Sequence, residues 1–162
     1  MTEKVSNDAN RSGQADIPHA AGTAGVLILN HYLVDLSVEN PGGRVPDERA
    51  ADVALGMEVS VSVQPAPGAP AGLYGVQVSL GLTASLNERV VFLIELRYGV
   101  VAQLKGISDP ALTDPLLYVQ VPTAIFPQLK DIVEQNGAFA GYPELTLREI
   151  DFAAHFNARA HA

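Results

Sequence analysis

The feature that most restricts the fold of this sequence is the alternation of apolar and polar residues over positions 73–104. A period of two is typical of β-strands with one face in a core. The stretch divides into two arms near Asn87, which tolerates the positive φ of a tight turn. We therefore predict one long β-hairpin. Its predicted core-facing residues are Tyr74, Val76, Val78, Leu80, Leu82, Ala84, Val90, Phe92, Ile94, Leu96, Tyr98 and Val100.

Two further strands precede the hairpin, over residues 26–40 and 57–64. In the first of them the alternation places Asp35 and Glu39 on the side opposite the apolar residues. Asp47, in the connection between the two strands, is predicted to cap a short helical turn. Four strands in this order most simply form one antiparallel sheet. The apolar side of the first strand is predicted to be Val26, Ile28, Tyr32, Val34, Leu36 and Val38.

Helices are predicted after the strands. Apolar residues at helical spacing indicate a main helix over 122–136, for which Gly137 suits the C-terminal cap. A short helix is predicted between Pro110 and Pro115, and a final helix over 151–159. The predicted fold class is α+β, a four-stranded antiparallel sheet with helices packed on one face. The main helix is expected to bury Val121, Ile125, Leu129, Ile132 and Val133, and the final one bears Phe152 and Phe156.

Residues 1–24 show no periodicity and are predicted to be a flexible N-terminal tail, with residues 25–162 forming a single domain.

The size of the sheet predicts self-association. About ten large apolar side chains on the hairpin, at ~1.5–3 kcal/mol each, represent roughly 15–30 kcal/mol of burial, so this face must be covered. The main helix would be ~22 Å long and about 10 Å wide. The strands would reach about 40 Å, and four of them span roughly 19 Å. Because one helix cannot cover this area, we predict that another copy of the chain does.

Charge and composition restrict the partners. The formal net charge is −8, which disfavours nucleic acid and anionic membrane surfaces. The sequence has neither an apolar run of about 18 residues nor an apolar N-terminal segment, so we expect no membrane span and no signal peptide. Cysteine is absent, which excludes disulfides and thiolate metal sites. The expected location is the cytoplasm.

Motifs of catalysis and metal binding are missing from the sequence. The four histidines show no ligand spacing, and neither a nucleophile elbow, a P-loop nor a dinucleotide motif is present. We therefore predict no metal, no cofactor and no enzymatic activity.

Two features indicate binding surfaces. Strand parity places Asp35, Glu39 and Glu95 on the sheet side away from the helices, with Leu93 beside Glu95. The alternative interpretation is an ordinary solvated sheet face. The second feature is the surplus of apolar residues on the second strand and the last helix, which is either core or a binding groove.

The sequence resembles the protein-export chaperone SecB family. The resemblance rests on the joint order and spacing of four motifs over residues 26–157. These motifs are YLVDLSVENP, VSLGLTASLNERVVFLIEL, AIFPQLKDIV and NGAFAGYPELTLREIDFAAHF. The chain departs from the family in the connection RVPDERAADVALG, which has no aromatic residue, and we expect a shortened C-terminal tail, NARAHA.

The resemblance implies a homotetramer, a dimer of dimers, that holds unfolded precursor proteins without ATP and passes them to the SecA motor. It maps the SecA contacts onto Asp35, Glu39, Leu93 and Glu95. The same resemblance implies an apolar client groove. For client contacts we predict Val59, Val61, Val63, Phe152 and Phe156.

Two alternatives remain open from the sequence. One is a SecB-like chaperone dedicated to a single client such as an antitoxin. The other is a small acyl-thioester enzyme with a hot-dog-like fold, which would need a catalytic carboxylate near a helix start and a pantetheine tunnel.

Overall fold

A computed structural model describes residues 25–107 and 109–160, and the predicted flexible tail at residues 1–24 lies outside this range. Four strands form one sheet in the order β1-β4-β3-β2, and every neighbouring pair is antiparallel. The predicted four-stranded antiparallel sheet is confirmed. The strands are β1 (Gly25–Glu39), β2 (Val53–Pro65), β3 (Leu73–Leu86) and β4 (Arg89–Lys105).

The β3–β4 hairpin closes through Asn87 and Glu88, which have φ values of 50° and 63°. Two consecutive residues with positive φ are typical of the turn whose twist matches paired strands, so the predicted tight turn is confirmed. An irregularity follows, because Ala84 pairs with Phe92 while Ser85 pairs with Val90. The extra residue is Val91, which is 8% exposed, whereas Val90 is 44% exposed. The prediction that Val90 faces the core was therefore wrong.

Strand β1 contains two similar irregularities, at residues 29 and 34. Each extra residue reverses which side chains of β1 face the helices, so odd and even positions exchange faces. The second extra residue restores the original assignment of faces. Between them, Tyr32 lies opposite Gly99, on the sheet face that the helices do not cover. The predicted core positions of Tyr32 and Val34 are wrong for this reason, and both side chains are exposed. Because the phase returns, Asp35 and Glu39 keep their predicted face.

The connection between β1 and β2 contains a 3₁₀ helix, Asp47–Asp52, at the place where a short helical turn was predicted. The capping residue was predicted wrongly, because Pro46 occupies the cap position and no side chain caps the helix. Asp47 instead accepts a hydrogen bond from Nη2 of Arg44 at 2.9 Å. Strand β2 starts four residues earlier than predicted, directly after this helix.

The helical layer begins with α1 (Pro110–Pro115), in which Oδ1 of Asp109 accepts from the backbone N–H of Ala111 at 2.9 Å. A π-helical turn, Leu116–Gln120, continues directly into α2 (Val121–Phe139). The last element is α3 (Phe152–Ala160). The predicted apolar stripe of α2 is confirmed for the fully buried residues Val121, Ile125, Leu129 and Val133.

Gly137 has a different role from the one predicted. Helix α2 continues past it to Phe139, and the left-handed residue that follows is Gly141, with a φ of 97°. A Cβ atom on Gly137 would lie 2.5 Å from Cδ2 of Leu145. The glycine therefore allows the close approach of Leu145, and the prediction of a C-terminal cap at Gly137 was wrong.

The core lies between α2 and one face of the sheet. We call this the covered face, and it consists mainly of the even-numbered residues of β3 and β4, including Val78, Leu80, Ile94 and Leu96. Helix α2 and the π-helical turn supply the opposing side chains, among them Leu117 and Leu129.

Candidate functional site

The opposite side of the sheet carries no helix among the described residues, and we call it the open face. On β4 it presents Leu93, Glu95, Arg97 and Gly99, alternating with the covered residues. Along β3 the open face is formed by small and polar residues, including Ser79, Gly81 and Thr83. A face of this composition is compatible with solvent, and it leaves the longer side chains of the neighbouring strands free to contact another molecule.

Strand pairing brings the four predicted SecA-contact residues together on the open face. Glu39 lies opposite Leu93, and Asp35 lies four residue pairs further along the same two strands. Glu95 is opposite Ser37, between them. The shared face follows from the register, while the role of these residues in binding SecA stays a prediction.

Two charged residues of this face were missed by the sequence reasoning. Nη2 of Arg97 lies 3.0 Å from Oδ2 of Asp35 in an ion pair. Glu58 on β2 faces Gly81. Both residues could have been found from strand parity, because Arg97 has the parity of Glu95 and Glu58 alternates with the valines of β2. Together they complete a trough of about 430 Å³ lined by Asp35, Glu58, Ser60, Ser79, Gly81, Glu95 and Arg97, with Val59, Leu80 and Leu96.

Towards the other end, the open face is more apolar. The side chains of Tyr32 and Val34 lie over Gly99, where a Cβ atom would approach the Tyr32 ring to 2.9 Å and Cγ2 of Val34 to 3.1 Å. Tyr32 is 50% exposed. This apolar end exists because the irregularities of β1 turn both side chains away from the core.

The five predicted client contacts do not share one surface. Val59, Val61 and Val63 are half-buried on the covered face of the edge strand β2. Phe156 is half-buried and stacks on Tyr118 with ring centroids 5.7 Å apart.

Phe152 is a different case from the other predicted contacts. It is 2% exposed and packs edge-on against Phe126, with ring centroids 6.3 Å apart. The first residue of α3 therefore belongs to the core. The prediction that Phe152 contacts a client is contradicted by this burial.

An apolar groove that the sequence reasoning missed lies at the edge of the covered face. It has a volume of about 440 Å³ and lies between two parts of the chain. On one side are β2 and the β1–β2 connection, and on the other is the segment that follows α2. The Phe92 and Tyr142 rings lie 5.2 Å apart at its base, and the Tyr142 hydroxyl donates to the Gly43 carbonyl. Its lining consists of Val45, Ala50, Val53, Leu55, Ala84, Phe92, Tyr142, Glu144, Leu145, Thr146 and Arg148.

The groove is well suited to apolar side chains of another molecule. Leu55 is 63% exposed at its rim, and Met57, the next residue of β2 on the same face, is 45% exposed. Three distant segments form the groove, so no pattern within one element predicts all of it. The surplus of apolar residues on the second strand indicated only the β2 side of the groove.

The described residues show little polar chemistry in the core. No group of three or more His, Asp or Glu side chains among them could hold a metal ion.

Nδ1 of His31 lies 2.7 Å from the hydroxyl of Tyr98, and burial raises the pKa of that tyrosine. The first turn of α2 carries no acidic residue, whereas the carboxylate of Asp109 lies at the start of α1.

Within the described part of the chain, none of the helices is both long and apolar enough to cross a membrane.

In the described residues, a four-stranded antiparallel sheet is covered by helices on one side and open on the other. The chain belongs to the SecB family, because the family model described as Preprotein translocase subunit SecB matches residues 20–162. This confirms the resemblance found in the sequence.

Relatives and a solved structure agree with the family assignment. The Protein-export protein SecB of Caulobacter vibrioides is 32% identical over 162 residues, covering 98% of this chain and 93% of the relative. The protein of the same name from Mesorhizobium japonicum is 32% identical over 154 residues, covering 94% and 90%. A Mycobacterium tuberculosis SecB-like chaperone, solved with a ChAD peptide from an antitoxin, aligns with a TM-score of 0.63 and 18% identity over 78% of this chain and 91% of that one. At this identity the last match supports the fold alone.

Proposed function

We propose that this protein is an ATP-independent chaperone that binds unfolded precursor proteins and delivers them to the SecA motor for export. The observation that carries the proposal is the exposed apolar groove beside β2 in a chain of the SecB family. The function requires neither catalysis nor a cofactor, and we place it in the cytoplasm, where precursors are made.

The groove supports client binding through its shape and its lining. Apolar side chains of an extended polypeptide can insert between Val53, Leu55 and Leu145, and exposed Met57 prolongs the apolar surface along β2. Each such contact is weak. Several contacts along one unfolded chain add up through the high effective concentration of linked segments. We retain Val59, Val61, Val63 and Phe156 as outer client contacts and replace Phe152 by the groove residues.

The acidic part of the open face supports SecA binding. Asp35, Glu39 and Glu95 lie around the apolar Leu93, which gives an acidic surface with one apolar contact. Such a surface suits a basic partner, and its electrostatic attraction would mainly increase the association rate and decrease with salt.

The edge strand β1 supports assembly into a homotetramer, a dimer of dimers. It offers 15 residues of backbone on its outer side, and the exposed large residues include Leu29 at 43% and Leu33 at 46%. A long apolar edge strand is a template for pairing with another chain. We expect light scattering at micromolar concentration to give the mass of four chains. A particle of 17.1 kDa, the mass of one chain, would refute the assembly.

Client binding can be tested at Leu55. We expect Leu55→Glu to reduce the suppression of aggregation of a denatured secretory precursor at least threefold, because a buried CH₂ contributes about 0.8 kcal/mol and a charge opposes apolar contact. Leu112→Glu is the matched control, because Leu112 is 52% exposed on α1, outside the groove. Equal activity of the two variants would exclude the groove as the client site.

SecA binding can be tested at Asp35 and Glu95. Lysine at both positions should weaken the affinity for SecA by at least about tenfold, because each change replaces attraction by repulsion. The same variant should hold denatured precursor as the wild type does. Unchanged SecA affinity in calorimetry would exclude the acidic surface.

A second candidate is a chaperone dedicated to one client such as an antitoxin. It is favoured by the solved neighbour, a SecB-like chaperone in complex with a peptide from an antitoxin. A dedicated chaperone would bind one peptide and leave unrelated precursors to aggregate. Competition between an antitoxin peptide and a denatured precursor, together with the identity of the neighbouring genes, distinguishes the two functions.

A further inference from the structure

An ion pair on the open face occupies one of the carboxylates that the proposed function assigns to SecA. Asp35 and Arg97 lie opposite each other on β1 and β4, with Nη2 of Arg97 at 3.0 Å from Oδ2 of Asp35. Both side chains are 53% exposed, so the pair is accessible to solvent and to a partner. The chain thus supplies its own cation at the place where a basic partner would contribute one.

The surroundings of Arg97 are acidic. Glu58 and Glu95 lie on either side of Gly81, which adds no side chain between them. Two strand spacings separate the backbones of these glutamates by about 10 Å, which leaves room for one cationic side chain above the glycine. Among the described residues that line this trough, Arg97 is the only cationic one.

We propose that Arg97 competes with the basic side chains of the partner for Asp35 and so weakens partner binding. An incoming cation must either displace the guanidinium from Asp35 or bind beside it. In the second case the two positive charges repel each other within the screening length, which is about 8 Å at physiological salt. This inference rests on the proposed binding of SecA to the open face.

The test is the substitution Arg97→Gln, with SecA affinity measured by calorimetry at low and at physiological salt. We expect binding to become roughly two- to fivefold tighter, the range typical of exposed ion pairs. The gain should be larger at low salt, which a purely structural role of Arg97 would not produce. Arg97→Lys retains the charge and should bind SecA nearly as the wild type does.

Lys105→Gln is the matched control, because it removes the same charge from the same strand eight residues away. At ~3.3 Å per residue this is about 26 Å, well beyond the screening length. We expect it to leave SecA affinity unchanged. In an Asp35→Asn background, the gain from Arg97→Gln should become smaller, because the carboxylate that the two cations compete for is gone.

Each outcome separates this inference from the proposed function. If the wild type binds SecA and Arg97→Gln binds equally or more weakly, the competition is refuted and delivery to SecA stands. If only Arg97→Gln binds, with salt-sensitive affinity, competition is supported and delivery by the wild type is refuted. If neither chain binds SecA, both proposals are rejected.

Discussion

The two faces of strand β4 differ in exposure and in charge. Towards the helices, Ile94 and Leu96 are at most 1% exposed, and on the open side Glu95 and Arg97 are exposed. Adjacent residues of one strand therefore serve different purposes. The covered residues stabilise the fold, and the open residues are available for recognition because the fold does not need them.

The largest expected effect contrasts leucines on these two faces. Leu96→Ala should lower the free energy of unfolding by about 2–5 kcal/mol, because it opens a cavity beneath α2. Leu93→Ala, on the open face, should cost less than about 1.5 kcal/mol, since its half-buried side chain leaves no enclosed cavity. Urea unfolding measures both values. A similar decrease in the free energy of unfolding for both variants would contradict the claim that only the covered face stabilises the fold.

A smaller effect is expected at Gly137, which tests the packing behind the groove. Helix propensity alone would make Gly137→Ala stabilising by about 1 kcal/mol. We expect a net loss of about 1–2 kcal/mol instead, because the new methyl group meets Leu145.

The double variant Gly137→Ala, Leu145→Ala is the control for this contact. Truncating Leu145 removes the obstruction, so the alanine at position 137 should be less costly in that background. If the single variant Gly137→Ala is more stable than the wild type, the contact with Leu145 does not require a glycine at this position.

The smallest effect concerns pH. Burial raises the pKa of Tyr98 above its ordinary value of about 10, so the folded chain holds this proton more tightly than the unfolded chain does. The resulting stability is fully present below pH ~10 and is lost as the pH rises through the folded pKa. Tyr98→Phe should flatten the loss of stability above pH ~10 in denaturant titrations.

The sequence predicted those parts of the fold that depend on local periodicity. The hairpin turn at Asn87, the alternation of β3 and the stripe of α2 through Leu129 follow from patterns within one element. The shared face of Asp35 and Glu95 was also predictable, because parity is preserved when the irregularities of β1 occur as a pair.

The remaining features depend on contacts between distant segments. The extra residues in β1 and β4, which expose Tyr32 and Val90, are set by how each strand pairs with its neighbour, and alternation alone does not reveal them. Phe152 and Phe156 look alike in the sequence, yet only Phe152 meets Phe126 in the core. Helical spacing cannot distinguish two such residues.

The central claim is that the apolar surface left uncovered beside β2 holds unfolded chains. The most direct measurement is light scattering of a chemically denatured secretory precursor diluted into buffer without nucleotide, with and without this protein. We expect suppression of the scattering at near-stoichiometric amounts of protein. Undiminished aggregation at a severalfold excess of folded protein would contradict the account.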